Sequence, residues 1–323
     1  MSAERAHPRE RGAALLTVLL LVAVIAVIAA QSLERLRLAT RLAANAGGGE
    51  QARSFAEAAE VLALQRISTL LAASPERVTL AGGWSNAPFT LPLPGGTAVA
   101  RVTDGGNCFN LNGLVSEAAP GVYATNPAQR VQFARLMRLV GVPAQAAEQV
   151  AAGAADWIDS DADRQAGGAE DETYLGQDPG YRTAGTLMAD PSELRAVAGV
   201  TPDLYAQLKP WLCALPMPTS TAINVNTLLP EQAPLLAMLA PDTLTVAAAQ
   251  NALLRRPPQG WSNVGALAAL LPGADLGSGA GVTSTWFALA IDVRQGAAEL
   301  HETAMIDARR LPARLVARQW GAE

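Results

Sequence analysis

Residues 11–30 read Arg-Gly-Ala-Ala-Leu-Leu-Thr-Val-Leu-Leu-Leu-Val-Ala-Val-Ile-Ala-Val-Ile-Ala-Ala. The eighteen residues from Ala13 to Ala30 carry no charge. As a helix rising ~1.5 Å per residue they span about 27 Å, close to the hydrocarbon thickness of a bilayer. Upstream, Met1 to Gly12 is polar and holds Arg5, Arg9 and Arg11, a basic flank expected to stay cytoplasmic. Gln31, Ser32 and Glu34 mark the outer end, so the rest of the chain is expected outside the cytoplasm.

Three readings compete for this segment: a cleaved secretory signal, a plain anchor, and a prepilin-type signal cut before the apolar run. Cleavage after Ala30 would place Ile28 at the minus-three position, a poor peptidase site, although Val27 and Ala29 offer a tolerable pair. The helical pattern also continues. Leu33, Leu36, Leu38 and Leu42 stand among Glu34, Arg35, Arg37 and Arg41. Beyond Gly47-Gly48-Gly49, a second amphipathic run carries Phe55, Ala59, Leu62 and Ile67. An apolar span that runs on into a long amphipathic helix is a spine.

The whole chain has 323 residues, 50% of them hydrophobic and 16% charged, enough to bury a sizeable core. Its 24 basic residues against 29 acidic give a net charge of -5 with no basic block, which argues against a nucleic-acid partner. Only His7 and His301 supply imidazole, so His-based zinc sites and most nucleophile–histidine machinery are poorly provided for, and no enzyme is expected. Cys108 and Cys213 are too far apart for a Cys-x-x-Cys motif. They suit one disulfide in an oxidising compartment, with two buried free thiols as the alternative. Paired, they close a loop worth roughly 4–5 kcal/mol in chain entropy.

After the spine, Phe89-Thr90-Leu91 and Thr97 to Thr103 read as short strands between Gly and Pro turns. So do the alternating Phe287, Leu289, Ile291 and Val293, then Leu300 to Ile306 and Arg314 to Trp320. Between these parts the pattern is helical, at Val131–Val140, Ala144–Trp157, Pro191–Val197, Thr201–Leu212 and Thr243–Leu254. A helical block inside a split antiparallel sheet reads as an insertion. The fold class expected is therefore α+β. It comprises a leader 1–12, a membrane segment 13–30, the outer spine 31–73, a first β part 74–122, an inserted α-helical domain 123–280 and a second β part 281–323.

Arg11-Gly12 followed by Ala13-Ala14-Leu15-Leu16-Thr17 resembles the processing site of type IV prepilins and pseudopilins. The resemblance implies cleavage by prepilin peptidase between Gly12 and Ala13 and N-methylation of Ala13. The fifth mature residue of that family is usually a Glu that meets the terminal ammonium of the neighbouring subunit; here it is Thr17. An unpaired charge is costly in lipid, so a subunit without the Glu cannot neutralise one docked ahead of it and suits the tip of a filament. Together with the large insertion, this resembles component K of type II secretion. The resemblance implies inner-membrane location with a single pass and a periplasmic body. It also implies partners: minor pseudopilin components I and J, and the major pseudopilin.

Asp156-Trp157-Ile158-Asp159-Ser160-Asp161-Ala162-Asp163, then Gly168-Ala169-Glu170-Asp171-Glu172, concentrates carboxylates that repel one another unless a cation joins them. Asp159, Asp161, Asp163 and Glu170 fall on positions 1, 3, 5 and 12 of an EF-hand loop, but Arg164 stands where that loop needs Gly. From composition alone a solvated acidic turn and an oxygen-ligand loop both remain open. The likeness of this segment, with Tyr174 and Tyr181-Arg182, to component K implies bound calcium, with Asp159, Asp161, Asp163, Glu170 and Asp171 as candidate ligands. A carboxylate pair for glycoside hydrolysis is the enzyme alternative, with no aromatic groove beside it.

Glu193 to Pro202, with Val140-Gly141-Val142-Pro143, resembles a helix-hairpin-helix, and Ile223-Asn224-Val225-Asn226-Thr227 resembles DNA-uptake proteins. A membrane-anchored DNA-uptake protein is the alternative function. Such hairpins present amides with nearby Lys or Arg to phosphate, whereas Gly199 is followed by Asp203 and Gly141 by Glu148.

Overall fold

The computed structural model describes residues 8–296 and 298–321; the first seven residues of the expected leader lie outside them. Helix α1 runs without interruption from Pro8 to Ala73. Gly47 to Gly49, each costing about 1 kcal/mol of helix propensity relative to Ala, do not break it. Around Leu15–Ile28 the large apolar side chains are exposed and the best window has mean hydropathy 2.6, long and apolar enough for a bilayer. In its last third Ala52, Ala56, Ala59, Ala63, Ile67 and Leu71 are buried at helical spacing and pack on a sheet.

That sheet begins with β1 (Phe89–Leu93) and β2 (Gly96–Asp104), an antiparallel pair joined by a tight turn. Small inward residues, Ala98 and Ala100, meet the alanine stripe of α1, which lets helix and sheet approach closely. The chain then leaves the sheet. Strand β3 (Phe109–Asn110) pairs with a distant partner, while β4 (Val115–Ala119) and β5 (Val122–Thr125) form a hairpin.

Helices α2 (Pro127–Leu139) and α3 (Ala144–Ile158) follow, then the short α4 (Asp171–Leu175) and α5 (Pro202–Leu208). Asn126 caps α2, accepting from the Gln129 amide, and Pro127 occupies the first turn, where its missing N–H costs nothing. Pro191–Val197, expected as helix, forms a 3-10 turn over Pro191–Ala196. Thr201–Leu212 is shorter than expected: α5 gives way at Lys209-Pro210 to a 3-10 turn and then to β6 (Leu212–Cys213), the parallel partner of β3. Proline there removes the amide that would continue the helix.

After β7 (Ile223–Asn224) come α6 (Ala233–Ala237), α7 (Val246–Leu254) and α8 (Val264–Ala268). Strand β8 (Ala280–Gly281) pairs in parallel with β7. These elements share their own core, built on Phe133, Leu136, Ile158, Tyr174 and Leu236, with the Phe109 ring stacked on Phe133 at 4.8 Å.

The chain returns to the sheet as β9 (Trp286–Gln295), β10 (Ala298–Asp307) and β11 (Arg314–Trp320), giving an antiparallel order β1-β2-β9-β10-β11. Strand β9 pairs with β2, Asp104 lying opposite Phe287, so the insertion leaves and re-enters at one end of neighbouring central strands. Phe287, Leu289, Ile291 and Val293 face α1. Residues 105–122, read from the sequence with the first β part, make their strand pairings inside the insertion or with each other.

Polar side chains seal the junction. The buried Asp104 carboxylate accepts from the hydroxyls of Thr227 and Ser284 and from the Gly106 amide, and burial raises its pKa. Asn224 donates to Ser284 Oγ (2.7 Å) and to the Val78 carbonyl (3.0 Å). Cys108 and Cys213 are disulfide-bonded beside β3 and β6, buried with Leu215 and Trp286 between the sheet and the insertion. A further tie is Asp190, which caps the Pro191–Ala196 turn through the Ser192 amide (2.8 Å) and accepts from Gln319 of β11 (2.7 Å). Asp190→Ala is expected to lower stability by about 1 kcal/mol, read as a shift in denaturation midpoint with unchanged slope.

Candidate functional site

Two places carry the residues singled out above. At the first, Gly12 and Ala13 lie within α1, near its start. One turn on, the Thr17 hydroxyl bonds the Ala13 carbonyl at 3.2 Å. Position 17 thus presents a hydroxyl turned to its own helix, in an environment of exposed apolar side chains.

The second is the acidic loop between α3 and α4. Helix α3 buries nearly all of its last turns, from Val150 to Asp159, so its C-terminal carboxylates are delivered into the body rather than to solvent. Asp159 is 1% exposed and Glu170 6%. One ligand oxygen from each of Asp159, Asp161 and Glu170 falls within 4.8 Å of the others. Asp159 receives a 2.6 Å hydrogen bond from the Thr125 hydroxyl on its Oδ2, while its Oδ1 and Glu170 Oε1 are buried without a hydrogen-bond partner among the described residues. Burial raises the Asp159 pKa and, with the charges of Asp156 and Asp159 nearby, lifts Glu170 to about 7. Two buried carboxylates, each with an unpartnered oxygen, and a third carboxylate within 4.8 Å are a donor set of the kind a hard divalent cation takes.

Among the described residues the converging group leaves out the other two carboxylates expected as ligands. Asp163 is exposed, and its backbone amide donates to Asp161 Oδ1 at 2.8 Å. Asp171 is instead held by the Thr183 amide (3.0 Å) and hydroxyl and by the Arg182 guanidinium; the Thr183 amide leads in lowering its pKa. The break at Arg164 also has its structural counterpart. The left-handed residue of the loop is Gly167, with φ of +84°, three positions beyond the glycine of the EF-hand pattern.

Asp156, quoted with the segment but not expected as a functional residue, organises this loop. It is fully buried, and both its oxygens accept from the Gln165 amide at 3.2 Å; burial first, then the Asp159 charge, brings its pKa to about 6 against those hydrogen bonds. Gly168 passes so close that a Cβ there would lie 2.0 Å from Asp156 Oδ2. Its sequence signal was the helical register of α3, which carries position 156 into the core with its neighbours. Trp157, Tyr174 and Tyr181 form an aromatic cluster beneath the loop. Tyr174 Oη accepts from the Ala198 amide and Tyr181 Oη donates to the Ala196 carbonyl, which joins the loop to the hairpin around Gly199.

The hairpin-like segments keep their turns at the surface. Gly141 (φ +98°) and Gly199 (φ +83°) make their turns, but Asn224 and Asn226 are buried, with Asn226 held by the Trp261 carbonyl (3.0 Å) and amide (2.7 Å).

Comparison with known proteins places these features together. Models of the family described as type II secretion system protein K match residues 107–217 and 223–290. The chain is 34% identical over 321 residues to type II secretion system protein K of Pectobacterium carotovorum subsp. carotovorum, covering 97% of each chain. It is 38% identical over 258 residues to the protein of that name from Klebsiella pneumoniae, covering 80% of this chain and 78% of the other. Among solved structures it resembles a chain of the GspK-GspI-GspJ complex from enterotoxigenic Escherichia coli. The TM-score is 0.74 at 33% identity, over 85% of this chain and 97% of that one.

Proposed function

The chain belongs to the type II secretion system protein K family, a family of minor pseudopilins, and on that footing we propose that it sits at the tip of the pseudopilus. There it would start or cap the filament that exports folded proteins from the periplasm across the outer membrane. The observation that carries this reading is α1: one continuous helix whose apolar half is exposed and whose fifth residue after Gly12 is Thr17. Such a helix supplies an anchor and a packing surface below, yet no carboxylate for an ammonium above. Components I and J, partners of the similar chain in the solved complex, would pack along this helix, with the major pseudopilin beneath them. The work is assembly, and no catalytic role is proposed.

The test is intact mass and N-terminal analysis of the protein from membranes of hosts with and without prepilin peptidase, followed by capture with components I and J. A peptidase-dependent chain beginning at methylated Ala13, recovered with I and J as a minor stoichiometric partner, is the expected result. A chain beginning near Gln31, one never cut, or one as abundant along the filament as the major subunit would overturn the tip reading.

We further propose that Asp159, Asp161 and Glu170 hold calcium. The ion would supply positive charge to three clustered carboxylates and tie the loop after α3 to the start of α4. The chain's own contribution is the placement: Thr125 orients Asp159, and Asp156 holds the returning loop through the Gln165 amide.

A further inference from the structure

At the edge of the sheet, Arg318 of the last strand meets two carboxylates that are kept from water. Glu302 of β10 is 0% exposed and Glu60 of α1 6%. Arg318 of β11 donates from Nε to Glu60 Oε1 (2.6 Å) and from Nη2 to Glu60 Oε2 (2.5 Å). That fork satisfies Glu60. Glu302 has only a 3.6 Å approach of Arg318 Nε to its Oε1, and neither of its oxygens has a hydrogen-bond partner among the described groups. Two buried carboxylates therefore share one guanidinium, whose own side chain is 33% exposed at the sheet edge.

The register explains the placement. Leu300, Glu302, Ala304 and Ile306 alternate onto the face of β10 that meets α1, so Glu302 occupies an apolar position. Arg318 lies opposite Ala304 and Trp320 opposite Glu302, and the Arg318 guanidinium also sits 5.4 Å from the Trp320 ring. From α1 the charged groups acting on Glu302 are Glu60 and Glu57; from β11 there is Arg318; from β9 the residue opposite is Ile291, which carries no charge.

An ionised Glu302 would bring a second, unpaired negative charge into this site, which is costly. With a proton, Glu302 gains a donor that Glu60 can accept, and the three groups become neutral together. We propose that Glu60, Glu302 and Arg318 form a proton-dependent latch that fastens β11, the edge of the sheet, to the spine helix, and that opening this edge releases one proton. Burial, then the hydrogen bond to Glu60 and its charge, hold the Glu302 proton up to about pH 8, with Arg318 opposing. When β11 leaves, Glu302 loses its cover and water reaches it, which removes burial, the largest cause of the shift, and lets its carboxyl fall back toward the ordinary range although Glu60 stays on α1. Its pKa is thus raised in the closed state, so the latch is fully effective below the ordinary carboxyl pKa and its advantage is lost as pH rises through about 8.

The experiment is hydrogen exchange, read by mass spectrometry, on the full chain in detergent micelles between pH 6 and 9.5, corrected for intrinsic exchange. In the wild type, protection of the peptide covering 314–320 is expected to fall about tenfold per pH unit between pH 6 and 8, the signature of one released proton, and to level off above. Strands β2 and β9 serve as internal references that hold their protection. Glu302→Gln, the nearest mimic of the protonated group, should fold and lose the slope; Glu60→Gln should also flatten it. Protection in 314–320 that does not vary with pH would overturn the latch. So would a Glu302→Gln profile parallel to the wild type, or a Glu302→Gln chain that fails to fold.

Discussion

Replacing Cys108 and Cys213 together by alanine is expected to lower the unfolding free energy by about 4–5 kcal/mol, the largest single effect foreseen for the folded body that follows the apolar span. The two residues are 105 apart in sequence. In the chain-entropy account the bridge acts on the unfolded ensemble, where it keeps the start of the insertion near its middle and excludes most open conformations. In the folded protein the same segments are already joined without it. Asn110 donates to the Met217 and Thr219 carbonyls and accepts from the Leu215 amide, and Asn112 donates to the Met188 and Leu215 carbonyls. The native structure should therefore survive, with an unchanged far-ultraviolet circular dichroism spectrum, while the guanidinium midpoint of the full chain in mild micelles drops and the slope steepens. Wild type in reductant should match the double variant. A loss below about 1 kcal/mol would mean that the unfolded chain is already held together by residual structure, and that Asn110 and Asn112, not the bridge, keep the start of the insertion joined to its middle.

Much of this architecture was legible in the sequence because it rests on long, unmixed signals. Eighteen uncharged residues define the apolar part of α1, and strict alternation from Phe287 to Val293 defines the sheet's central strand. The contact face of the spine was less visible. Of the expected face Phe55, Ala59, Leu62 and Ile67, Ala59 and Ile67 are buried and Phe55 packs partly on the same core, but Leu62 is exposed and the stripe is completed by Ala52, Ala56 and Ala63. Where a helix lies close on a sheet, small side chains win the interface, and hydrophobicity is a poor guide to which face that is. The buried polar residues were harder still. Asn224 and Asn226 resembled a nucleic-acid motif and instead satisfy backbone groups at the junction, a role that depends on partners far away in sequence. Glu302 had an inward parity on its strand, but nothing local announced Glu60 or Arg318. Asp156 belongs to the same class: its position follows from helical register, its purpose only from the loop that folds back over it.

For the acidic loop, the expected result is a change of sign. Without calcium, Asp159→Asn combined with Glu170→Gln should stabilise the protein, because it removes two buried charges that repel each other and have no full set of partners. With calcium the order reverses. An ion that binds only the folded wild type adds about 2.7 kcal/mol at a hundredfold excess over Kd, whereas the variant, stripped of two of three converging carboxylates, should lose affinity by about 100-fold or more and gain almost nothing. Thermal denaturation of the full chain in chelator and in millimolar calcium measures both halves, and calorimetric titration gives the affinity directly. Asp163→Asn is the control, since that carboxylate is exposed and outside the group; it should leave affinity within about threefold, the screened influence of one surface charge. A solvated acidic turn predicts otherwise: calcium would leave the wild type unmoved, and the double variant would differ little from it in either buffer. The burial of Asp159 and Glu170 makes these outcomes separable, because carboxylates kept from water without a counter-charge strain the apo fold, and the same strain is what a bound cation relieves.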